Sequence, residues 1–285
     1  MADPAALDIA SIRGRHPHHF GQPSRERRLL LALAVAAALL LLIGMGAFGF
    51  FGAAFWLGLG KLGEVAGLMI PPNPGGWDKA LVFALSLVET IAISLLGTLG
   101  AAVLAVPLGL LAANNVTTAK VLHFFARRSL DTIRSVDILI WALIWVNVVG
   151  LGPFAGVLAI MTSDMGNFGK LFSEAIEAAD RRPVEGIVST GGGKLLGIRF
   201  GILPEVFPVL ASQVLYFFES NTRSATIIGI VGAGGIGLHL AEAIRTLELQ
   251  QASFLILMIL VAVAAIDIVS SQLRFALIGR RSAVV

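Results

Sequence analysis

The sequence predicts an all-α integral membrane protein with six transmembrane helices and both termini in the cytoplasm. Three observations carry that expectation. Of 285 residues, 56% are hydrophobic and only 14% are charged, whereas a soluble domain carries roughly 25% charged residues. Mean hydropathy is +0.87. Such a chain cannot cover itself in water, which excludes an ordinary soluble enzyme and a disordered chain. No charged residue occurs from Leu29 to Gly60, a run longer than the ~20 residues that cross a ~30 Å hydrocarbon layer. Under a six-span layout, 17 of the 21 Lys and Arg residues fall on one side. The positive-inside rule makes that side the cytoplasm. Cysteine is absent, so there is no disulfide framework and no thiolate chemistry.

The elements follow in order. Residues 1–28 form a polar tail with Arg13, Arg15, Arg25, Arg27 and Arg28, broken by Pro4, Pro17 and Pro23. Span one is expected at 29–50, with an interfacial segment to Ile70. The run is too long for a cleaved signal peptide, whose apolar part is roughly 7–15 residues. The core, 71–273, begins with a Pro- and Gly-rich loop at 71–76. Span two, 85–112, contains Pro107, which a membrane helix tolerates when neighbours satisfy the freed carbonyl. A polar stretch with Asn114, Asn115, Lys120, Arg127, Arg128 and Arg134 precedes span three at 136–150. A tight turn, Gly150–Pro153, leads into span four at 154–173. A long cytoplasmic loop covers 174–203, and span five is expected at 205–222. A glycine-rich segment at 229–237 and an amphipathic stretch to Gln251 precede span six at 252–273. Residues 274–285 form a second cytoplasmic tail.

The loop carries the strongest signal. It reads Glu185-Gly186-Ile187-Val188-Ser189-Thr190-Gly191, then nine residues, then Gly201-Ile202-Leu203-Pro204. A short helix that docks in a partner's groove needs a small residue at its turn, and Gly191 can adopt positive φ. The basic and apolar stretch from Lys194 to Phe200 would run back along the membrane surface. Pro204 would then start span five, where its missing N–H costs nothing.

This pattern resembles the EAA loop of ABC-importer permeases, with Glu185, Gly191, Leu203 and Pro204 in register. Gly186 and Ile187 replace the two alanines, and Gly201 replaces an isoleucine. Glu89-Thr90, Leu96-Gly97-Thr98, Pro107-Leu108-Gly109 and Ala112-Ala113-Asn114-Asn115 are similar to the second span of phosphonate-type permeases. Arg134-Ser135 and the run Gly150 to Gly156 fit as well. The most specific match is Phe218 to Thr226 leading into Gly229 to Gly237, and the resemblance covers about residues 70–280. Asp137 stands where a proline is expected.

The resemblance implies a type I ABC importer permease. Two copies, as a homodimer, would form the pathway in the membrane lipid. A separate ABC ATPase subunit would use ATP and Mg and dock on Glu185, Gly186, Ile187, Gly191, Leu203 and Pro204. An extracytoplasmic substrate-binding protein would deliver a phosphonate or related phosphorus oxyanion. The chain itself would hold no cofactor and perform no catalysis. The implied pathway residues are Glu219, Ser220, Asn221, Arg223, Ser224 and Thr226, with Gly232, Gly234, Gly235 and Gly237 shaping the outer end.

Other motifs fail on their own terms. Gly232 to Gly237 satisfies G-x-G-x-x-G, but no βαβ unit surrounds it and Ile256 lies where a dinucleotide site needs an acid. Gly191-Gly192-Gly193-Lys194 lacks the Ser or Thr of a P-loop, since residue 195 is Leu. His16, His18 and His19 sit in a polar tail without other ligands, and no nucleic-acid or metal site is expected.

Ionisable residues at or within spans are costly in lipid, and Glu89, Asp164, Glu219, Arg223 and Asp267 qualify. Asp267 is expected to pair with Arg274 at the cytoplasmic end of span six. Asp164 either lines the pathway or pairs across a helix. Glu219 and Arg223, spaced i, i+4, share a helix face and can neutralise each other. Arg223 also presents a guanidinium fork suited to an oxyanion, among neutral hydroxyls and an amide at the outer end of span five. Two other classes are an ion-gradient-driven secondary transporter of a small anion and a membrane enzyme or assembly factor. The first would want internal repeats. The second would want convergent catalytic groups, yet His123 and His239 fall on opposite sides.

Overall fold

The computed structural model describes residues 25–50, 52–117 and 119–278. The expected histidine cluster and most of both tails lie outside these residues. All regular structure among the described residues is helical, as the composition predicts. Four helices are long and apolar enough to cross a membrane, or five if one bent pair counts as a span.

The chain divides at Gly67 into two compact units. The first contains α1 (Arg25–Ala47) and α2 (Ala53–Leu68), whose last residue, Leu68, falls just past the division. After its charged first turn α1 is apolar all round, and none of the residues in its apolar stretch is buried, the pattern of a lipid-facing helix.

The second unit begins with α3 (Trp77–Ala112), which continues through Pro107. α4 (Lys120–Arg134) and α5 (Ile138–Val149) meet at 89°. At 12 residues α5 is about 18 Å long, too short to be the straight span expected at 136–150. Asp137 sits at its start, and its carboxylate accepts the Leu139 N–H at 2.8 Å. The residue that departs from the proline of the resembling family thus starts the helix by another means: it caps a free N–H instead of lacking one. Asp137→Ala is expected to lower stability by about 1 kcal/mol, while Asp137→Asn retains it. Thermal unfolding in detergent checks this, and equal melting of the two variants would refute the cap.

α6 (Pro153–Ala178) is the central helix. Asp164, Lys170, Glu174 and Glu177 lower its hydropathy, but much of it is shielded by protein rather than lipid: Ala159, Ile160 and Phe168 are fully buried. Without a hydrophobic drive between helices in lipid, close packing holds such bundles together, and small residues permit it. Ala101 and Ala105 of α3 are fully buried against Phe168 and Phe172, whose rings stack at 5.3 Å. Phe217 packs onto Phe168 at 4.7 Å.

α7 (Arg182–Ser189) is followed by α8 (Lys194–Leu196), a wide π turn (Gly197–Ile202) and α9 (Leu203–Ile230). Lys194 to Ile230 form one 37-residue helical run. The stretch from Lys194 to Phe200 is therefore the foot of a long helix, not a separate surface segment. Pro204 lies inside this run. It cannot donate to the carbonyl four residues back, and the ladder is re-registered just before it, with the Leu203 N–H bonding the Ile198 carbonyl. α9 also outruns the expected span five by eight residues. The glycine-rich break follows, then α10 (Ile236–Arg245) and α11 (Leu249–Ile278).

Candidate functional site

Three arrangements, at the two ends and along the length of α9, hold the residues singled out by the sequence. The first is α7. Its end is closed by two backbone bonds, Gly192 N–H to the Ile187 carbonyl and Gly191 N–H to the Val188 carbonyl, both 3.0 Å. This is a Schellman cap, which requires a left-handed residue, and Gly191 has φ +86°. Gly201 lies against Val184, so that a Cβ there would approach Val184 Cγ2 to 2.9 Å. The glycine that replaces the family's isoleucine therefore lets α7 rest directly on the wide turn. Glu185 and Gly186 are exposed, Ile187 is half-buried, and Val188 is 52% exposed. Glu185 borders a cavity of about 400 Å³ with Asn114, Asn115 and Asp180. Leu203 and Pro204 begin α9 beneath it.

The second arrangement is the glycine-rich break. Gly232, Gly234 and Gly235 all have positive φ, so the chain turns without Cβ strain. The break is buried against α3 and the start of α6. Glu89 Oε1 accepts the Gly235 N–H at 3.0 Å, and Thr90 Oγ1 accepts the Ile236 N–H at 2.8 Å. These two N–H groups belong to the open end of α10, which would otherwise lack partners. A carboxylate there also complements the helix dipole. The Gly152 N–H bonds the Gly232 carbonyl at 2.9 Å. Gly232, Gly234, Gly235 and Gly237 are therefore buried in protein. Broken backbone at membrane depth is tolerated in that setting.

The third is the polar face of α9. Asn221 is buried; its Nδ2 donates to Thr98 Oγ1 at 2.8 Å and to Asp164 Oδ2. Asp164 also accepts from Asn167 at 3.2 Å, and Thr222 Oγ1 meets Ser94 Oγ at 3.2 Å. Asp164 thus pairs across to α9, and Asn221, bonded to both Thr98 and Asp164, ties α3, α6 and α9 together. Thr226 is buried too, its hydroxyl bonding the Thr222 carbonyl at 3.3 Å. Ser220 and Ser224 are half-buried, and Arg223 is exposed. Glu219 accepts a hydrogen bond from Arg274 at 3.0 Å and forms a looser ion pair with Arg223 at 3.7 Å. Arg274 reaches Asp267 only at 4.0 Å. The expected Asp267–Arg274 pair therefore exists, but Arg274 is held chiefly by Glu219. Because α9 runs to Ile230, residues 219–226 lie within the helix rather than at its outer end.

Residues 105–282 match the family described as the binding-protein-dependent transport system inner membrane component. The chain belongs to that family. The permease is 36% identical over 217 residues to the phosphite transport system permease protein PtxC of Stutzerimonas stutzeri, covering 76% of this chain and 78% of that one. It is 38% identical over 210 residues to the phosphate-import permease protein PhnE of Mycolicibacterium smegmatis, covering 74% of this chain but 39% of that longer one. The fold is similar to a chain of the MetNI methionine ABC transporter in inward-facing conformations. The TM-score is 0.62 at 16% identity, over 71% of this chain and 99% of that one. The permease is thus a multi-pass inner-membrane transport subunit rather than an enzyme, and the resemblance drawn from its loop and glycine motifs holds at family level.

Sequence reasoning missed α4 as a helix and the Arg274–Glu219 bond. The first was legible in the alternation of apolar and basic residues at helical spacing; the second joins positions 55 apart and leaves no local signal. The capping role of Glu89 and Thr90 likewise joins positions 146 apart and has no local signal.

Proposed function

We propose that the permease forms the translocation pathway of an ATP-driven importer for phosphonate or a related phosphorus oxyanion. Six spans would leave both termini in the cytoplasm, with α5, entered through the right-angle bend from α4, and the protein-shielded α6 as the third and fourth. Two copies would enclose the pathway. A substrate-binding protein would deliver the anion from outside, and an ABC ATPase using ATP and Mg would dock on α7. Membership of a binding-protein-dependent family favours this over an ion gradient. The names of the relatives above, which cite phosphite and phosphate, favour a phosphorus oxyanion.

The observation that carries the reading is the state of Arg223. Its side chain is 60% exposed, and the carboxylate nearest to it is already engaged by Arg274 at 3.0 Å. The guanidinium is left to offer its fork outward, beside Ser220 and Ser224. A fork of this kind suits an oxyanion with several acceptors. Asn221, Thr226 and the four glycines are packed within the protein and set the position of this face rather than meeting the anion. Weak binding is wanted here, because a pathway must release what it accepts.

ATP binding would draw two ATPase subunits together and move α7. The π turn and α9 would carry that motion into the bundle, and rigid-body rocking would open the cavity to alternate sides. Arg223→Ala is expected to lower uptake of radiolabelled phosphite about tenfold or more, the worth of a charge-assisted hydrogen bond. The amount of permease in the membrane should be unchanged. Wild-type uptake in that variant would remove Arg223 from the pathway.

A further inference from the structure

We propose that α4 is a membrane-surface helix that binds the headgroups of anionic phospholipids. The helix has two unlike faces. Lys120, Arg127 and Arg134 recur every seventh residue, which places them along one edge; Arg128 stands about 80° round the helix from Lys120, over the Phe124 ring and at the border of the exposed apolar residues. Away from that edge, Val121, Leu122 and Phe125 are exposed at 71%, 47% and 62%. The side that is buried within the protein is narrow. Leu130 lies against Gly166 and Gly169 of α6, where a Cβ on Gly169 would come within 2.8 Å of Leu130 Cδ1. The exposed apolar residues are therefore not the face that holds α4 to the bundle.

The bend fixes the orientation. α5 has no charged residue in its 12 positions and carries three-quarters or more apolar side chains, so it enters the hydrocarbon layer. α4 meets it at 89°. With α5 standing along the bilayer normal, α4 lies in the bilayer plane at the level where α5 enters. Apolar residues on one face and cations on the other are what that level selects.

The charge argues for an anionic partner. α4 carries Lys120, Arg127, Arg128 and Arg134 against the single carboxylate of Asp131. Arg127 is spent on Glu177 at 3.1 Å, and Asp131 is shared between Lys170 at 3.2 Å and Arg128 at 3.7 Å. Lys120, Arg128 and Arg134 remain exposed. Between α4 and α6 lies a cavity of about 360 Å³, bordered by His123, Phe124, Arg127, Arg128 and Lys170 and by the one carboxylate of Asp131, so that cations outnumber it three to one. The His123 Nδ1 atom is buried with no hydrogen-bond partner among the described residues. Basic pockets of this kind at the cytoplasmic surface suit phosphate headgroups.

The absence of cysteine makes a direct test clean. Full-length permease carrying Val121→Cys is labelled with bimane and reconstituted into phosphatidylcholine vesicles. These contain equal small fractions of headgroup-region spin-labelled phosphatidylglycerol or spin-labelled phosphatidylcholine. Both lipids are expected to quench the fluorophore, the phosphatidylglycerol by about twofold more, as attraction of several basic residues to anionic lipid requires. The preference is expected to vanish in about 1 M salt and in the Lys120→Gln/Arg128→Gln/Arg134→Gln variant. Absence of quenching by either lipid would place the face under protein and overturn the proposal. Equal quenching by both, or a preference that survives the triple substitution, would overturn it as well.

Discussion

Gly237→Ala is expected to leave little or no folded permease in the membrane. Gly237 opens α10, and a Cβ built on it runs into the Thr226 carbonyl oxygen of α9, closer than any real contact. The same Cβ would approach Gly229 Cα to 3.0 Å. Both obstacles are backbone, so no side chain can swing aside. The cost of inserting a methylene into a well-packed core, about 1–3 kcal/mol, is a lower bound here, because two helices must separate. Separation would also draw Gly235 and Ile236 away from Glu89 and Thr90. Gly186→Ala is the matched control, since nothing lies within 4 Å of its Cβ position. Detergent extraction and size-exclusion chromatography of the two variants decide the matter; equal yields would show that the α9–α10 contact is softer than its geometry implies.

Gly191→Val is expected to abolish uptake while leaving the permease folded. A β-branched residue at φ +86° is a conformational outlier, costing about 1–2 kcal/mol for the left-handed backbone alone. The two Schellman bonds that close α7 would open, and an eight-residue helix has little else to hold its end. α7 has no buried residue, so its loss should not unfold the bundle. Substrate-stimulated ATP hydrolysis should fall with uptake if α7 is the docking element. Gly186→Ala, which restores the alanine of the EAA pattern, should retain both activities and stabilise α7 by up to about 1 kcal/mol. Normal ATPase stimulation in Gly191→Val would remove α7 from the coupling role.

What the sequence revealed, and what it concealed, follows from the range of the forces involved. Composition and long uncharged runs report transfer to lipid, a local property, and they located α1, α3 and α11 well. The turn at Gly191 was legible because its requirement, a left-handed residue, is a local one that the glycines at 191–193 can meet. The length of α9 was not legible. A hydropathy window sees Arg223, Ser224 and Thr226 as the end of a span, yet Asn221 and Thr222 are satisfied by Thr98, Asp164 and Ser94 from other helices. The helix continues because its polar groups find partners far along the chain. α5 erred in the opposite direction. Its apolar run suggested a span, but the cap at Asp137 and the right-angle turn before it shorten the helix to 12 residues. The role of Asp164 stayed open for the same reason as the end of α9, since its partners come from α9 and from its own next turn.

The bond between Glu89 and the Gly235 N–H joins positions 146 apart, and that separation has a bearing on biogenesis. α3 leaves the ribosome well before α10 is made. The acceptors for the opening N–H groups of α10 are therefore already in the bilayer when the donors arrive. α10, only ten residues long, is below the length at which an isolated helix is stable in water. Its first turn is laid down on a template that translation has delivered in advance. A gene fragment encoding only the last third of the chain would carry the donors and omit their template.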